Sequence, residues 1–238
     1  MLAVAGAGVV AGAVNAIVGS GSLVTFPTLL AVGYPSVTAN VSNTVGLVFG
    51  SISGAWGYRR ELRGQLRRVL MLGAGSAIGA LVGGILLLEL PDEVFDAVVP
   101  ILILMSVALM AFKPTPRQAE RDHLAPATGG TFLTGIYGGY FGAAQGVILL
   151  AVLRIAFADD LQRLNAVKNV LVAVANAVAA VLFIAVADIA WDAVALIAVG
   201  SIAGAWAGAH YGRRLPETWL RRIVIVVGTV VALILIFD

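Results

Sequence analysis

Two short stretches of this sequence place flexible backbone and hydrogen-bond donors in the middle of long apolar runs. Gly19-Ser20-Gly21-Ser22 interrupts one run, and Gly142-Ala143-Ala144-Gln145-Gly146 interrupts another. Two further groups recur in matching tripeptides, Val41-Ser42-Asn43 and Val167-Lys168-Asn169, the second of which brings a lysine into an apolar block. Amides, hydroxyls and one ammonium are suited to holding a ligand rather than to breaking bonds. The chain has no cysteine, so disulfides, thiolate metal sites and cysteine nucleophiles are excluded. It carries no Walker sequence and no cluster of His, Asp and Glu for metal catalysis, which argues against ATP drive within the chain. Gly6-x-Gly8-x-x-x-Gly12 lacks the flanking strand and helix of a nucleotide loop. Neither an enzyme, a cofactor nor a metal is expected.

The elements that position these groups must lie in a lipid bilayer. Of 238 residues, 60% are hydrophobic and only 12% charged, with a mean hydropathy of +0.99. A soluble domain needs a polar shell that this composition does not supply, whereas a bilayer asks for apolar runs of about 20 residues each. The 28 glycines suit helices that approach closely in lipid. Net charge is only +2 although the pI is about 9.2. The arginines gather in a few loops, which speaks of topology and not of nucleic acid. The first residues, MLAVAGAG, lack the basic region of a cleavable signal peptide and are expected to belong to the mature structure.

Apolar blocks lie at about 2–33, 39–57, 68–88, 94–112, 126–157, 164–186, 193–211 and 218–237. Lys and Arg prefer the cytoplasmic side near helix ends. That rule assigns to the cytoplasm the loop with Arg59, Arg60, Arg63, Arg67 and Arg68, the linker with Lys113, Arg117 and Arg121, and the loop with Arg213, Arg214, Arg221 and Arg222. The connections with Glu89, Asp92 and Glu93, and with Asp188 and Asp192, hold no Lys or Arg and are assigned outside. The fifth block must then enter and leave on the cytoplasmic side, as a hairpin broken at its glycine-rich centre. The first block becomes a hairpin opening outward. Eight conventional spans remain the alternative if one charge assignment fails.

The halves also resemble each other. Gly75-Ser76-x-x-Gly79-Ala80-x-x-Gly83 followed by Leu90-Pro91 returns as Gly200-Ser201-x-x-Gly204-Ala205-x-x-Gly208 followed by Leu215-Pro216. The first of these loops is acidic and the second basic, so equivalent loops fall on opposite faces. The expected fold is an all-α polytopic membrane protein of two inverted-topology repeats, each a broken-helix hairpin plus three transmembrane helices, commonly counted as eight segments. The first repeat covers 1–112, the cytoplasmic linker 113–127, and the second repeat 128–238 with its hairpin at 128–157. Inverted repeats with discontinuous helices are typical of secondary transporters, whose site lies at the repeat interface.

The stretches Gly19-Ser-Gly-Ser-Leu-Val-Thr-Phe-Pro27, Ala39-Asn-Val-Ser-Asn43 and Gly54-Ala-Trp-Gly-Tyr-Arg59 resemble the first half of the sulfite exporter TauE/SafE family. Gly138-Gly-Tyr-Phe-Gly-Ala-Ala-Gln-Gly146 and Asn165-Ala-Val-Lys-Asn169 resemble its second half. The resemblance implies a multi-pass permease of the bacterial inner membrane, linked to export of sulfite or an organosulfonate such as sulfoacetate. It leaves open which anion moves, in which direction and with what coupling ion, and it says nothing of oligomeric state. An anion channel, an importer of the same fold or a non-transporting scaffold are the other readings.

A small oxyanion asks for N–H and O–H donors and a cation. Helix N-termini provide free N–H groups and a positive dipole end. The expected substrate-binding set is therefore Gly19, Ser20, Gly21, Ser22, Asn43, Gly142, Gln145, Gly146, Lys168 and Asn169. The bland alternative is that the glycines only permit tight hairpin tips and the asparagines only join helices. Lys168 falls about 7.5 Å inside Arg163 along a helix and either lines a cavity or snorkels to the interface. Asn40, Asn165, Asn176 and Arg154 are weaker site residues, Arg154 being the better placed to snorkel. His210 lies beside Arg213 and Arg214 and reads as a surface-level histidine. The glycine ladders at 75, 79, 83 and 200, 204, 208 read as helix-packing faces.

Overall fold

Both glycine-rich stretches interrupt the chain where the apolar pattern does not. The computed structural model describes residues 1–112 and 122–211, with isolated positions 222, 225, 226, 229, 230 and 233 beyond them. Nine helices and no strand occur among the described residues. They are α1 (Leu2–Ile17), α2 (Ser22–Val32), α3 (Ser36–Gly57), α4 (Leu66–Glu89), α5 (Asp92–Phe112), α6 (Leu124–Tyr140), α7 (Gln145–Ala156), α8 (Leu161–Val186) and α9 (Trp191–Tyr211). The 2–33 block is thus α1 and α2 with a break at 18–21, and the 126–157 block is α6 and α7 with a break at 141–144. α6 begins at Leu124, inside the stretch read as linker. Residues 113–121 of that linker and most of the 218–237 block lie outside the described residues.

Local sequence accounts for the boundaries. Gly33, at φ 102°, ends α2, with its N–H on Leu30 O and that of Tyr34 on Leu29 O. Pro91 precedes α5, whose first turn carries Asp92 and Glu93 at the positive end of the helix dipole. Asp160 caps α8 by accepting the Gln162 N–H at 2.9 Å.

By length and composition α4, residues 92–111 of α5, α8 and α9 can each cross a bilayer. α1, α2, α6 and α7 are shorter. α3 has the length but is too polar, with Asn40, Ser42, Asn43, Thr44, Ser51 and Ser53 along it. Of these, Asn40 and Asn43 bond at the breaks, whereas Ser42 bonds Ala190 and Ser53 bonds Ile202. Outward faces are apolar: Val181 and Val199 are each 72% exposed and Trp56 is 68% exposed.

The glycine ladders bring distant helices into backbone contact. Along α9, a Cβ added at Gly200, Gly204 or Gly208 would fall within 3.0 Å of Ala5, Val9 and Ala13 backbone on α1. Along α4, a Cβ at Gly75, Gly79 or Gly83 would likewise strike Thr128, Phe132 and Ile136 on α6. Both pairs run parallel, and both join the first arm of one hairpin to a full-length helix from the other half of the chain. Small residues are what such close packing requires where lipid gives no hydrophobic drive.

The two ends of the bundle differ in charge. At one end Arg68 bridges to Asp159 at 2.8 Å and Asp122 at 3.0 Å, and Arg163 bonds Asp159 at 2.9 Å. His123 N–H donates to Ala156 O at 2.8 Å, which joins the outer ends of α6 and α7 at that same face. At the other end Tyr34 donates to Asp192 at 2.7 Å and Ser36 bonds Asp96. The arginine loop and the α7–α8 loop therefore share one face, and the acidic connections share the other. The core over the acidic end is aromatic: Phe26 meets Phe141 edge-on at 5.3 Å, and Phe95 packs on both at 6.4 and 6.2 Å. Towards the basic end Leu72, Leu149, Leu153, Phe157, Leu164 and Leu171 form a second buried cluster.

Candidate functional site

The chain makes the same turn twice. After α1, the N–H groups of Val18 and Gly19 both reach Val14 O, at 2.7 and 3.0 Å, and Gly19 takes φ 91°. After α6, those of Phe141 and Gly142 both reach Tyr137 O, at 2.9 and 3.0 Å, and Gly142 takes φ 77°. Glycine adopts this left-handed region without the cost a Cβ imposes. Ala144, at φ 60°, is the one non-glycine in that region among the described residues, and it immediately precedes α7.

The two breaks touch. Gly146 N–H donates to Gly19 O at 2.9 Å, and a Cβ on Gly146 would lie 2.5 Å from Gly19 Cα. The starts of α2 and α7 thereby come together inside the protein, with both helix dipoles presenting their positive ends to the same region. Two buried donors there have no hydrogen-bond partner, Ser20 Oγ and Gln145 Nε2, in residues each 1% exposed, and the amide oxygens of Asn40 and Asn165 nearby are likewise unbonded. The Gln145 side chain lies over Gly138, where a Cβ would collide with its amide. Leaving a buried hydroxyl or amide unbonded costs roughly 1–3 kcal/mol, so both donors are poised for a ligand that accepts hydrogen bonds.

Asn43 sits on α3 over the start of α2. Its Nδ2 donates to Ser22 Oγ at 3.1 Å, and its Oδ1 accepts from Thr25 Oγ1. Gly21 packs on α1, since a Cβ there would lie 2.7 Å from Ala11 O.

Asn165, Lys168 and Asn169, from α8, converge on the last carbonyls of α1. Lys168 Nζ lies 3.2 Å from Asn15 O and 3.4 Å from Ala16 O, and Ala16 O also accepts from Asn169 at 3.1 Å and Asn165 at 3.4 Å. Lys168 is fully buried at 0% exposure and so does not snorkel. Its ammonium sits at the negative end of the α1 dipole, where a cation is favoured. Asn40, from α3, makes the corresponding contact to the end of α6, donating to Tyr140 O at 2.9 Å.

Asn43 and the Asn165–Lys168–Asn169 group thus flank the first break from its two sides rather than closing one ring. Asn176 lies apart, sharing Ser51 Oγ with Asn15, each at 3.1 Å. Arg154 stands in the last turn of α7, towards the basic face, and is not brought to the breaks. His210 is exposed at the end of α9.

Several contributors were not singled out from sequence. Thr25 and Asn15 each fall within a few residues of the first break. Ser106 Oγ, on α5, lies 3.1 Å from Ala143 O and 2.8 Å from the Tyr137 hydroxyl, which bonds the same carbonyl, so two hydroxyls gather at the second break. A polar side chain within two helical turns of a glycine break, in an otherwise apolar run, is the signal that finds Asn15, Thr25 and Tyr137. Ser106, 36 residues from the second break, carries no such signal.

Towards the basic face, burial pushes the Asp159 carboxyl up, but the Arg68 hydrogen bond, the Asp160 N–H and the charges of Arg163 and Arg68 outweigh it and hold it below its usual range.

Comparison with known proteins places the chain among membrane transporters. The family model described as sulfite exporter TauE/SafE matches residues 4–235. The chain is 26% identical over 235 residues to "Probable membrane transporter protein ORF9" of Sinorhizobium sp, covering 96% of this chain and 89% of the relative. It is 26% identical over 235 residues to a "Probable membrane transporter protein" of Haemophilus influenzae, covering 97% and 92%. To "Probable membrane transporter protein YfcA" of Escherichia coli K12 it is 25% identical over 234 residues, covering 96% and 86%. No solved structure matches the chain.

Proposed function

The chain belongs to the sulfite exporter TauE/SafE family, and from that premise we propose that it is a secondary transporter of the bacterial inner membrane exporting sulfite or a related small organosulfonate by alternating access. The observation that carries this reading is the junction of the two breaks. Two helix starts meet there, and the buried Ser20 Oγ and Gln145 Nε2 have no protein partner. A sulfur oxyanion presents three oxygens that accept hydrogen bonds. The α2 and α7 dipoles and the Lys168 ammonium behind the first break offset its charge.

Access would alternate as one repeat rocks against the other, with residues 1–112 and 128–238 as the repeats. The like turns at Gly19 and Gly142 and the like glycine ladders support this division. The aromatic cluster of Phe26, Phe95 and Phe141 bars the acidic face, and the leucine cluster with the Arg68 bridges bars the basic face. An inside-negative potential favours anion exit by about 2.3 kcal/mol per charge per 100 mV, so export needs no coupling ion.

The test is uptake of radiolabelled sulfite into proteoliposomes, with sulfate, sulfoacetate and taurine as competitors. Saturable flux that falls about tenfold or more in Ser20→Ala/Gln145→Ala is expected, the two lost hydrogen bonds to a charged ligand being worth roughly 1.5–3 kcal/mol each. Absence of flux for all these anions overturns the substrate class, and unitary conductance in planar bilayers makes the protein a channel.

A further inference from the structure

A cavity lies at the basic face, where α3 and α9 end side by side. It has a volume of about 250 Å³ and is lined by Gly57, Arg59, Arg60, Ala209 and His210. The helix ends meet because residue 57 is glycine and presses directly on Ala209 Cβ. Each end presents a tryptophan with a nitrogen base beside it. The Arg59 guanidinium lies over the Trp56 ring at 5.2 Å and donates to Trp56 O at 3.1 Å. The His210 ring stacks on Trp206 at 4.6 Å, with Nδ1 at 2.8 Å from Trp206 O.

A carbonyl only accepts, so Nδ1 donates to Trp206 O, and a phosphate oxygen at Nε2 is held by the imidazolium, in which both ring nitrogens donate. The two arginines and His210 are exposed, as are both tryptophans, at 68% and 51%. Tryptophan at such exposure at the end of an apolar helix marks the depth of lipid headgroups. Basic pockets between helices at that depth suit an anionic headgroup.

We infer that this cavity binds the phosphate of an anionic phospholipid, held by Arg59, Arg60 and His210, with Trp56 and Trp206 alongside its glycerol region. The chemistry is that of a phosphate oxyanion, which free phosphate or a transported anion shares. The tryptophans favour the lipid, because they offer apolar and interfacial contact that a free ion does not use.

Native mass spectrometry of the full-length protein, released from detergent with phosphatidylglycerol or phosphatidylcholine, tests the inference. Phosphatidylglycerol is expected to be retained preferentially. Arg59→Gln/Arg60→Gln is expected to weaken that retention about fivefold per arginine, the factor that corresponds to about 1 kcal/mol for a basic residue at an anionic surface. Arg67→Gln, which removes one charge from the same face outside this cavity, is expected to leave retention unchanged. Equal retention of the two lipids overturns the inference. An equal loss in Arg67→Gln does so too, since binding would then be diffuse surface charge. Displacement of the lipid by millimolar inorganic phosphate or sulfite would also overturn it and make the cavity a site for free anions. Sulfite flux in the double variant separates this cavity from the transport site, because the two share no residue.

Discussion

The ends of α1 and α6 are the same turn finished in two ways. At α1 the exposed carbonyls receive three side chains from α8, one of them the buried Lys168 ammonium. At α6 a last-turn carbonyl receives the neutral Asn40, and the break itself is held by the hydroxyls of Tyr137, on α6, and Ser106, on α5. Backbone geometry alone thus leaves the charge free to differ. The position matching Lys168 is Ser42, which turns away and accepts the Ala190 N–H at 2.9 Å. A carrier that needs one positive charge for one anion has it at one break only, and the other break is fixed by uncharged hydrogen bonds. In the proposed transport cycle the first break is the electrostatic side of the site and the second its mechanical anchor.

That contrast can be broken most severely at the contact itself. Gly146→Val and Gly19→Val both insert atoms into backbone and are expected to reduce sulfite flux to background and lower the yield of monodisperse protein. Gly142→Ala has φ strain and a milder approach to Gly138 O at 3.0 Å, so about 1–2 kcal/mol of stability and part of the flux should be lost, read as a lower melting temperature.

Next in size is the charge. Lys168→Met is expected to cut kcat/KM by about tenfold or more, as the loss of charge-assisted bonds worth roughly 1.5–3 kcal/mol implies. Lys168→Arg should recover part of it, and Asn40→Leu should cost less than Lys168→Met; equal losses would erase the distinction between the two breaks. Smaller still is Tyr137→Phe, which removes one neutral hydrogen bond of about 1 kcal/mol and is expected to slow turnover several-fold with KM unchanged.

The smallest effect is at the basic face. Because Asp159 is held below its usual carboxylate range in the folded protein, its contribution to stability is complete above the ordinary value. That contribution is lost as pH falls through the lowered one. Melting curves recorded towards pH 3 should show an acid-dependent loss of about 1 kcal/mol, for a part-buried pair at the rim of the protein, that Asp159→Asn removes.

Glycine made the breaks legible in sequence, because helical runs of this apolarity need a reason to stop and Gly19 and Gly142 are that reason. The ladders were legible for the same cause. What the sequence did not reveal was direction: Lys168 has two readings from its position alone, and only packing against α1 places its ammonium on Asn15 and Ala16 carbonyls. Ser106 was invisible because its partner carbonyl, Ala143, is distant along the chain. From sequence the 39–57 block reads as an ordinary span, because its length suffices. Its polar residues are spent on the α2 start, the α6 end and the α8 network, interactions that hydropathy counts only as loss of apolarity.

The glycine ladder between α1 and α9 has a consequence for synthesis. Val9 packs on Gly204, so the first arm of the chain meets its backbone partner only after nearly two hundred further residues have been made. At roughly 5–20 residues per second that is on the order of 10 to 40 s. Through that interval the helix bearing Asn15 must wait in the translocation machinery or in lipid without its cap from α8 or its seat on α9. A ribosome stalled before α9 should therefore leave α1 open to extraction, and release of the stall should close it.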